Sequence, residues 1–328
     1  MAFGPRTLRY IARRLAQAVP IVLGIVVLNF LLLQLAPGDA ATVLAGEAGG
    51  APPEYIALLR ERFGLDRPMH VQLLLYMRNV LTLDLGYSFR NSMPVTELIF
   101  GRLGPTLLLM GTTLLVSVLS GVLLGLLAAT AVNTWRDRVI SVAAVIAYAT
   151  PLFWIGLMLI LLFSIKLDWL PTTGMEDVVA FNEGWVRVLD IARHLVLPTV
   201  TLSLFYMALY TRMMRAAMLD QRGMDYVVTA RSKGLAERLI TYRHVLRNAV
   251  LPVVTMAGVQ VGSLLGGSVV VESVFAWPGL GQLAFQSLFA RDFNLLLGIF
   301  FLSACLVVVV NLVVDLVYLA LDPRIKVG

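Results

Sequence analysis

The stretch YVVTARSKGLAERLITYRHVLRNAVLP, residues 226–252, sets Arg231, Lys233, Arg238, Arg243, Arg247 and His244 against a single acid, Glu237. Side chains of these types make charge-assisted hydrogen bonds to carboxylates or carbonyls of a partner protein, or they lie on anionic lipid headgroups. Charge and spacing alone leave both readings open. No constellation of Ser, His and Asp and no carboxylate pair stands out elsewhere. There is no Gly-x-x-x-x-Gly-Lys-Ser/Thr loop, so ATP binding by this chain is not expected. One cysteine, Cys305, precludes an intrachain disulfide, and three histidines suggest no metal site. The expected work is recognition and movement, not bond-making, and the chain is not expected to be an enzyme.

The charged stretch stands in an apolar background. The chain is 59% hydrophobic and only 14% charged, with a mean hydropathy of +0.84. Soluble domains carry about 25% charged residues. The chain cannot cover itself with polar surface in water, and a polytopic membrane protein follows. The net charge of +6 then reports topology and gives no reason to expect nucleic acid.

Six apolar segments are long enough to span, at roughly 12–35, 106–131, 139–163, 195–214, 249–271 and 295–319. Each approaches the ~20 residues a helix needs to cross a ~30 Å hydrocarbon core, and none alternates as a barrel strand would. The first follows Arg6, Arg9, Arg13 and Arg14. It exceeds the ~7–15 residues of a signal-peptide core, so a retained first helix is expected. Basic residues in short loops mark the cytoplasmic side. The N-terminal tail, the WRDR link at 135–138, segment 212–248 and the DPRIK tail with Arg324 and Lys326 all fall on one side if the helices alternate. The reading is an all-α integral membrane protein with six transmembrane helices and both termini cytoplasmic.

The long loop at 36–105 is not linker-like. PPEYIALLRERFGL has helical spacing bounded by Pro52–Pro53 and Gly64, and DRPMHVQLLLYMRNVL reads as a second amphipathic helix. These make either a small packed cap or a docking surface for an outside partner. Segment 216–248 reads as two helices around a turn at Gly234. Tyr226, Val227 and Ala230 share a face of the first. Leu239, Tyr242 and Leu246 share a face of the second, with Arg238, Arg243 and Arg247 off it, and Pro252 marks where the chain meets the membrane. The product is a helical knob with its tip near Ser232–Glu237.

Polar and small residues inside the spans are the remaining candidates. Gln260 and Ser263, with Ser268, give the fifth span polarity, as Asn29 and Gln34 do the first; such groups face a bundle interior or a water path. Gln260, Ser263 and Asn29 are expected along a translocation path. Gly258, Gly262 and Gly266, like Gly121 and Gly125, allow close helix approach. Asp315 is either a buried ion site or an Arg partner near the end of the sixth span. Trp277, Pro278 and Gly279 form a tight outer turn, with Trp277 as an interfacial anchor and the turn as part of an outer gate. His194 and Pro198 read as structural.

The knob resembles the coupling loop of bacterial ABC importer permeases, whose general pattern is Glu-Ala-Ala, three residues and Gly, closing on a Leu-Pro. Here Val228-Thr229-Ala230 stands at the Glu-Ala-Ala positions and the stretch to Pro252 is longer. Both departures match the dipeptide, oligopeptide and nickel branch. The resemblance continues in order through RYIARRLAQAVPIVLGIVVLNFLLLQLAPGDA, RFGLDRP, LDLGYSFRNSMPV, KLDWLPTTG, VESVFAWPGLGQLAFQSLFARDFNLL and NLVVDLVYLALDPRIK.

The resemblance implies a type I ABC importer permease fold, with residues 1–105 holding the first helix and long loop and 106–328 a five-helix core. It implies the first permease of a heterodimer, two cytoplasmic ATPases carrying the ATP and Mg that this chain does not bind, and an extracytoplasmic substrate-binding protein. Tyr226, Thr229, Ala230, Arg231, Lys233, Gly234, Leu235 and Glu237 would meet the ATPases. The cargo would be di- or oligopeptides, or alternatively nickel chelates, glutathione or opines. An ion-coupled secondary transporter would instead require an internal repeat and intramembrane charge; no clear repeat is present and Asp315 is the one acid well inside a span. A non-transport scaffold would leave the knob unexplained.

Overall fold

The computed structural model of the chain describes residues 5–35, 52–54, 57, 66–88 and 90–321. Two compact units result, one comprising Met1–Leu103 with Leu283–Gly328 and the other Gly104–Gln282.

In the first unit, α1 (Pro5–Leu35) packs on α11 (Phe293–Leu321) and on α2 (Met69–Leu81). Val26, Val80 and Phe301 form the buried centre, flanked by Tyr76, Met77, Leu85 and Cys305. The α2 helix realises the DRPMHVQLLLYMRNVL expectation, starting directly after Pro68. The other expected helix, at 52–64, falls almost wholly outside the described residues, as do Pro37, Gly38, Asp39, Arg324, Lys326 and the Asp315 side chain. A hairpin pairs β1 (Tyr87–Ser88) with β2 (Met93–Pro94) antiparallel, Tyr87 opposite Pro94. It is pinned by the buried Asp292: Ser88 Oγ donates to Asp292 Oδ2 at 2.5 Å, and Leu295 N–H donates to Asp292 Oδ1 at 3.1 Å. The carboxylate thus caps α11 and fixes the hairpin at once.

The second unit holds most of α3 (Val95–Thr130), then α4 (Trp135–Ala149), α5 (Leu152–Leu159), α6 (Gly184–Arg222), α7 (Asp225–Ser232), α8 (Glu237–Leu239) and α9 (Leu246–Val274); α10 (Leu280–Ala290) starts at its edge.

 The α5 helix, Leu152–Leu159, passes without interruption into a π-helical stretch, Ile160–Lys166. Helices α6 and α9 pack along each other, and α4 packs on α6. Gly121 and Gly125 on α3 allow its close approach to α6, because a Cβ at either would strike Tyr210 or Met214. These two glycines are packing residues, as the sequence suggested.

Among the described residues, four helical runs are long and apolar enough to cross a membrane: Val95–Thr130, Gly184–Arg222, Glu237–Val274 and Phe293–Val314. A fifth crossing arises if α4 and the α5 run count as one span, broken by a bend of 104°. The sequence suggested an unbroken helix over 139–163. Pro151 breaks it, since proline disfavours helical geometry in the residue before it, and Thr150 is extended at ψ 132°. In α1 the apolar core is only Ala16–Leu32, shortened by Arg13 and Arg14 on one side and Gln34 on the other. The fourth span begins earlier than expected, at Gly184, so Pro198 lies inside the helix and not one turn from its start.

The second helix of the knob departs most from expectation. Residues 240–245 form a π-helical stretch between α8 and α9, with i→i+5 bonding instead of i→i+4. A period of 3.6 therefore assigns the wrong face there. Ile240 and Val245, five apart, are buried, and the buried line continues at four-residue steps through Ala249, Val253 and Ala257. Leu239 and Tyr242, expected on the packed face, are exposed. Pro252 lies inside α9, which runs through it to Val274.

Candidate functional site

The knob is built from α7, the turn at 233–236 and α8. Val227 and Ala230 are buried under α7, and Tyr226, on the same side, is half-buried. The Tyr226 hydroxyl donates to Gln221 Oε1 at 2.8 Å, holding α7 against the end of α6. Gly234 at φ +74° ends α7. Its N–H donates to Arg231 O at 2.9 Å, and Leu235 N–H donates to Ala230 O at 3.3 Å. These two bonds are the Schellman closure, which requires a residue in the left-handed region that glycine adopts without a Cβ penalty. Across the turn Arg231 Nε donates to Glu237 Oε1 at 2.5 Å, and Arg231 Nη2 to Oε2 at 3.3 Å. The carboxylate holds the Arg231 guanidinium above its ordinary pKa. Thr229, Arg231, Lys233 and Glu237 are exposed, and Leu235 is partly so.

The turn is rigid internally and bare externally. Met224, Val228, Leu239 and Tyr242 are 45%, 55%, 41% and 51% exposed. Apolar groups beside fixed charges make a surface that a partner can cover; Met224 and Val228 precede the Glu237–Val274 run, and Leu239 and Tyr242 lie in its first turns.

The Trp277-Pro278-Gly279 turn is organised inward. Trp277 is 0% exposed and its indole Nε1–H donates to Pro105 O at 2.9 Å. It is therefore a core residue of its unit, not the interfacial anchor expected of an aromatic beside Pro-Gly. Under the turn lies Glu272, also 0% exposed. Its Oε1 accepts Thr106 Oγ1–H at 3.1 Å and its Oε2 accepts Gln282 N–H at 2.9 Å, while Thr106 Oγ1 accepts Leu280 N–H at 2.7 Å. A Cβ at Gly279 would fall on the Glu272 carboxyl, and one at Gly281 on Val269. Both glycines are required by this close approach.

Gln260 and Ser263 lie on the outer side of α9. Ser263 is exposed and Gln260 partly so. Ser263 Oγ donates to Gln260 Oε1 at 2.5 Å and lies 3.4 Å from the Tyr206 hydroxyl. Gly258 is buried, whereas Gly266 is open, with nothing within 4 Å of an added Cβ. Asn29 is different. It is buried in the first unit and its Nδ2 donates to Leu297 O at 3.2 Å, so it packs α1 to α11. His194 Nδ1 sits 3.1 Å from Asp190 Oδ1, consistent with the structural role expected of it.

Sequence reasoning passed over Glu272, Thr106, Asp137, Arg215 and Arg222. The signal for Glu272 is an acid within an apolar helix, seven residues before the first of two closely spaced glycines. Asp137 is the single acid of the WRDR link. Its carboxylate takes Arg215 Nε at 2.7 Å and Nη2 at 2.8 Å.

These features define a helical integral membrane protein with a hairpin closed at Gly234 between two of its candidate spans. Comparison with known proteins makes the class specific. The family model described as "Binding-protein-dependent transport system inner membrane component" matches residues 121–327, and the model of its N-terminal part matches residues 7–110. The oligopeptide transport system permease protein AppB of Bacillus subtilis (strain 168) is 41% identical over 320 residues, covering 97% of this chain and 99% of that protein. The glutathione transport system permease protein GsiC of Salmonella choleraesuis (strain SC-B67) is 40% identical over 319 residues, with 97% and 99% covered. A putative peptide transport system permease protein of Brucella abortus (strain 2308) is 38% identical over 316 residues, with 96% and 98% covered. Among solved structures, inward-facing MetNI methionine ABC transporter aligns at a TM-score of 0.56 and 18% identity, over 69% of this chain and 96% of that one. That likeness is one of fold. The chain belongs to the binding-protein-dependent transport system inner membrane component family. It is the permease subunit of an ABC importer, a multi-pass protein of the cytoplasmic membrane.

Proposed function

We propose that this permease carries di- or oligopeptides, as one half of a type I heterodimeric path with six spans and both termini in the cytoplasm. In this reading α1 is the first span, its Arg13 and Arg14 reaching the headgroup region, and the α4–α5 run is one bent span. The peptide assignment rests on relatives of 38–41% identity over nearly full length that carry peptide names, with glutathione, nickel chelates and opines as alternative cargo. The functional division falls near residue 105, in keeping with the two family matches ending at 110 and starting at 121.

Two cytoplasmic ATPases bind below the permease pair, the knob of this chain being its contact with them, and an extracytoplasmic binding protein delivers the cargo. The observation that carries this reading is the exposure of the apolar residues Met224, Val228, Leu239 and Tyr242, which flank Arg231 and Lys233 in sequence, on a turn closed by Gly234. Tyr226 and Ala230 set the knob on its base; Thr229, Arg231, Lys233, Leu235 and Glu237 meet the ATPase. Gln260 and Ser263 line the path, and the Trp277–Gly279 turn frames its outer mouth.

The test is Gly234→Pro combined with Lys233→Glu in the reconstituted importer. Proline holds φ near −65°, and position 234 needs φ +74°. Assembled complexes are expected to lose uptake; normal uptake driven by ATP would refute the knob's role. The cargo is identified by the ligand that co-purifies with the binding protein.

A further inference from the structure

Two arginines near the end of α6 tie three helix ends together. Arg215 and Arg222 are seven residues apart, two helical turns, and so share a face. Arg215 grips Asp137 at the start of α4 through two parallel bonds; the side chains are 30% and 6% exposed. Asp137 Oδ2 also accepts Asn133 N–H at 3.1 Å. In a continued α3, Asn133 N–H would have bonded to Ala129 O. That carbonyl instead accepts Arg222 Nη1–H at 2.7 Å. The turn at 131–134 is thus held from both ends by α6, and the helix-end carbonyl left by the turn is satisfied by a charge. The linkage continues into the knob: Gly223 and Met224 alone separate α6 from α7, and Tyr226 is bonded back to Gln221.

We infer that Arg215 and Arg222 are positioning residues that convert displacement of α7 into joint movement of α6 with the ends of α3 and α4. The stroke then reaches those helices directly. This rests on the reading of α7 as the ATPase seat. A bidentate guanidinium–carboxylate pair fixes both distance and orientation. Apolar residues of similar volume can offset the loss of such a pair, although Asn133 N–H then loses the Asp137 acceptor, and they leave the helices free to slide.

That difference separates transmission from simple packing. The test is cargo moved per ATP hydrolysed in the full complex with its binding protein, measured beside ATPase binding. Arg222→Gln, and Asp137→Leu combined with Arg215→Met, are expected to assemble with both ATPases yet lower the ratio by about threefold or more. The exchange Asp137→Arg with Arg215→Asp is expected to recover most of it. An unchanged ratio in assembled Arg222→Gln complexes overturns the inference, as does an apolar pair that transports like wild type. If the apolar pair does not assemble, Arg222→Gln decides alone. A failure of the α7 reading shows differently, as ATPase binding that is insensitive to changes at Val228 and Tyr242.

Discussion

Helix α9 is entered and left through two connections built on opposite principles. The segment after it, 275–279, turns its aromatic ring inward, and the Glu272 carboxylate accepts from a hydroxyl and a backbone N–H beneath it. The segments before it, 223–245, close their own backbone through Gly234 but leave Val228, Leu239 and Tyr242 bare. Both are well formed, so exposure in the knob is not poor packing. A connection that buries its apolar groups and pairs its polar ones is complete within the chain. One that is rigid yet uncovered is complete only against another molecule.

Substitutions should separate the two connections sharply. The largest effect is expected from Trp277→Ala, which empties a fully buried site and costs about 3–5 kcal/mol; thermal unfolding of the detergent-purified permease reads it. Glu272→Gln comes next. It leaves one oxygen for the Gln282 N–H and turns an NH2 group on the Thr106 hydroxyl, which must give up its own donation, costing about 1–3 kcal/mol, while Thr106→Ser should keep the network and remain near wild type by the same assay. In the knob the order of readouts inverts. Val228→Asp and Tyr242→Asp should change stability by no more than about 0.5 kcal/mol, yet weaken capture of the ATPases by about tenfold or more. The smallest effect on stability belongs to Arg231→Ala, because water screens the exposed Arg231–Glu237 pair; unfolding should be unchanged while ATPase capture falls modestly.

The same contrast explains what was legible in the sequence. Local chemistry read correctly: Gly234 as a turn, Tyr226, Val227 and Ala230 as one face of α7, and Gly121 and Gly125 as packing positions each follow from a single residue type in a fixed period. The π-helical stretch at 240–245 was not legible, because a shift from four- to five-residue bonding leaves no composition signal and still moves Leu239 and Tyr242 from the packed to the open face. The bend at Pro151 was signalled by the proline but hidden by the unbroken hydropathy around it. Burial of Glu272 and Trp277 depends on Pro105 and Thr106, about 170 residues away, a distance that no local pattern spans. For the same reason Asn29, polar within a span, read as a path residue when its amide is engaged by Leu297 O.

The central claim is that the bare face of the knob is where the ATPases bind. The direct measurement is co-purification of the ATPase subunits with a permease carrying Val228→Asp and Tyr242→Asp, alongside its unfolding temperature. The account predicts an unfolding temperature equal to wild type with ATPase recovery lost. Full ATPase recovery at wild-type stability would contradict it.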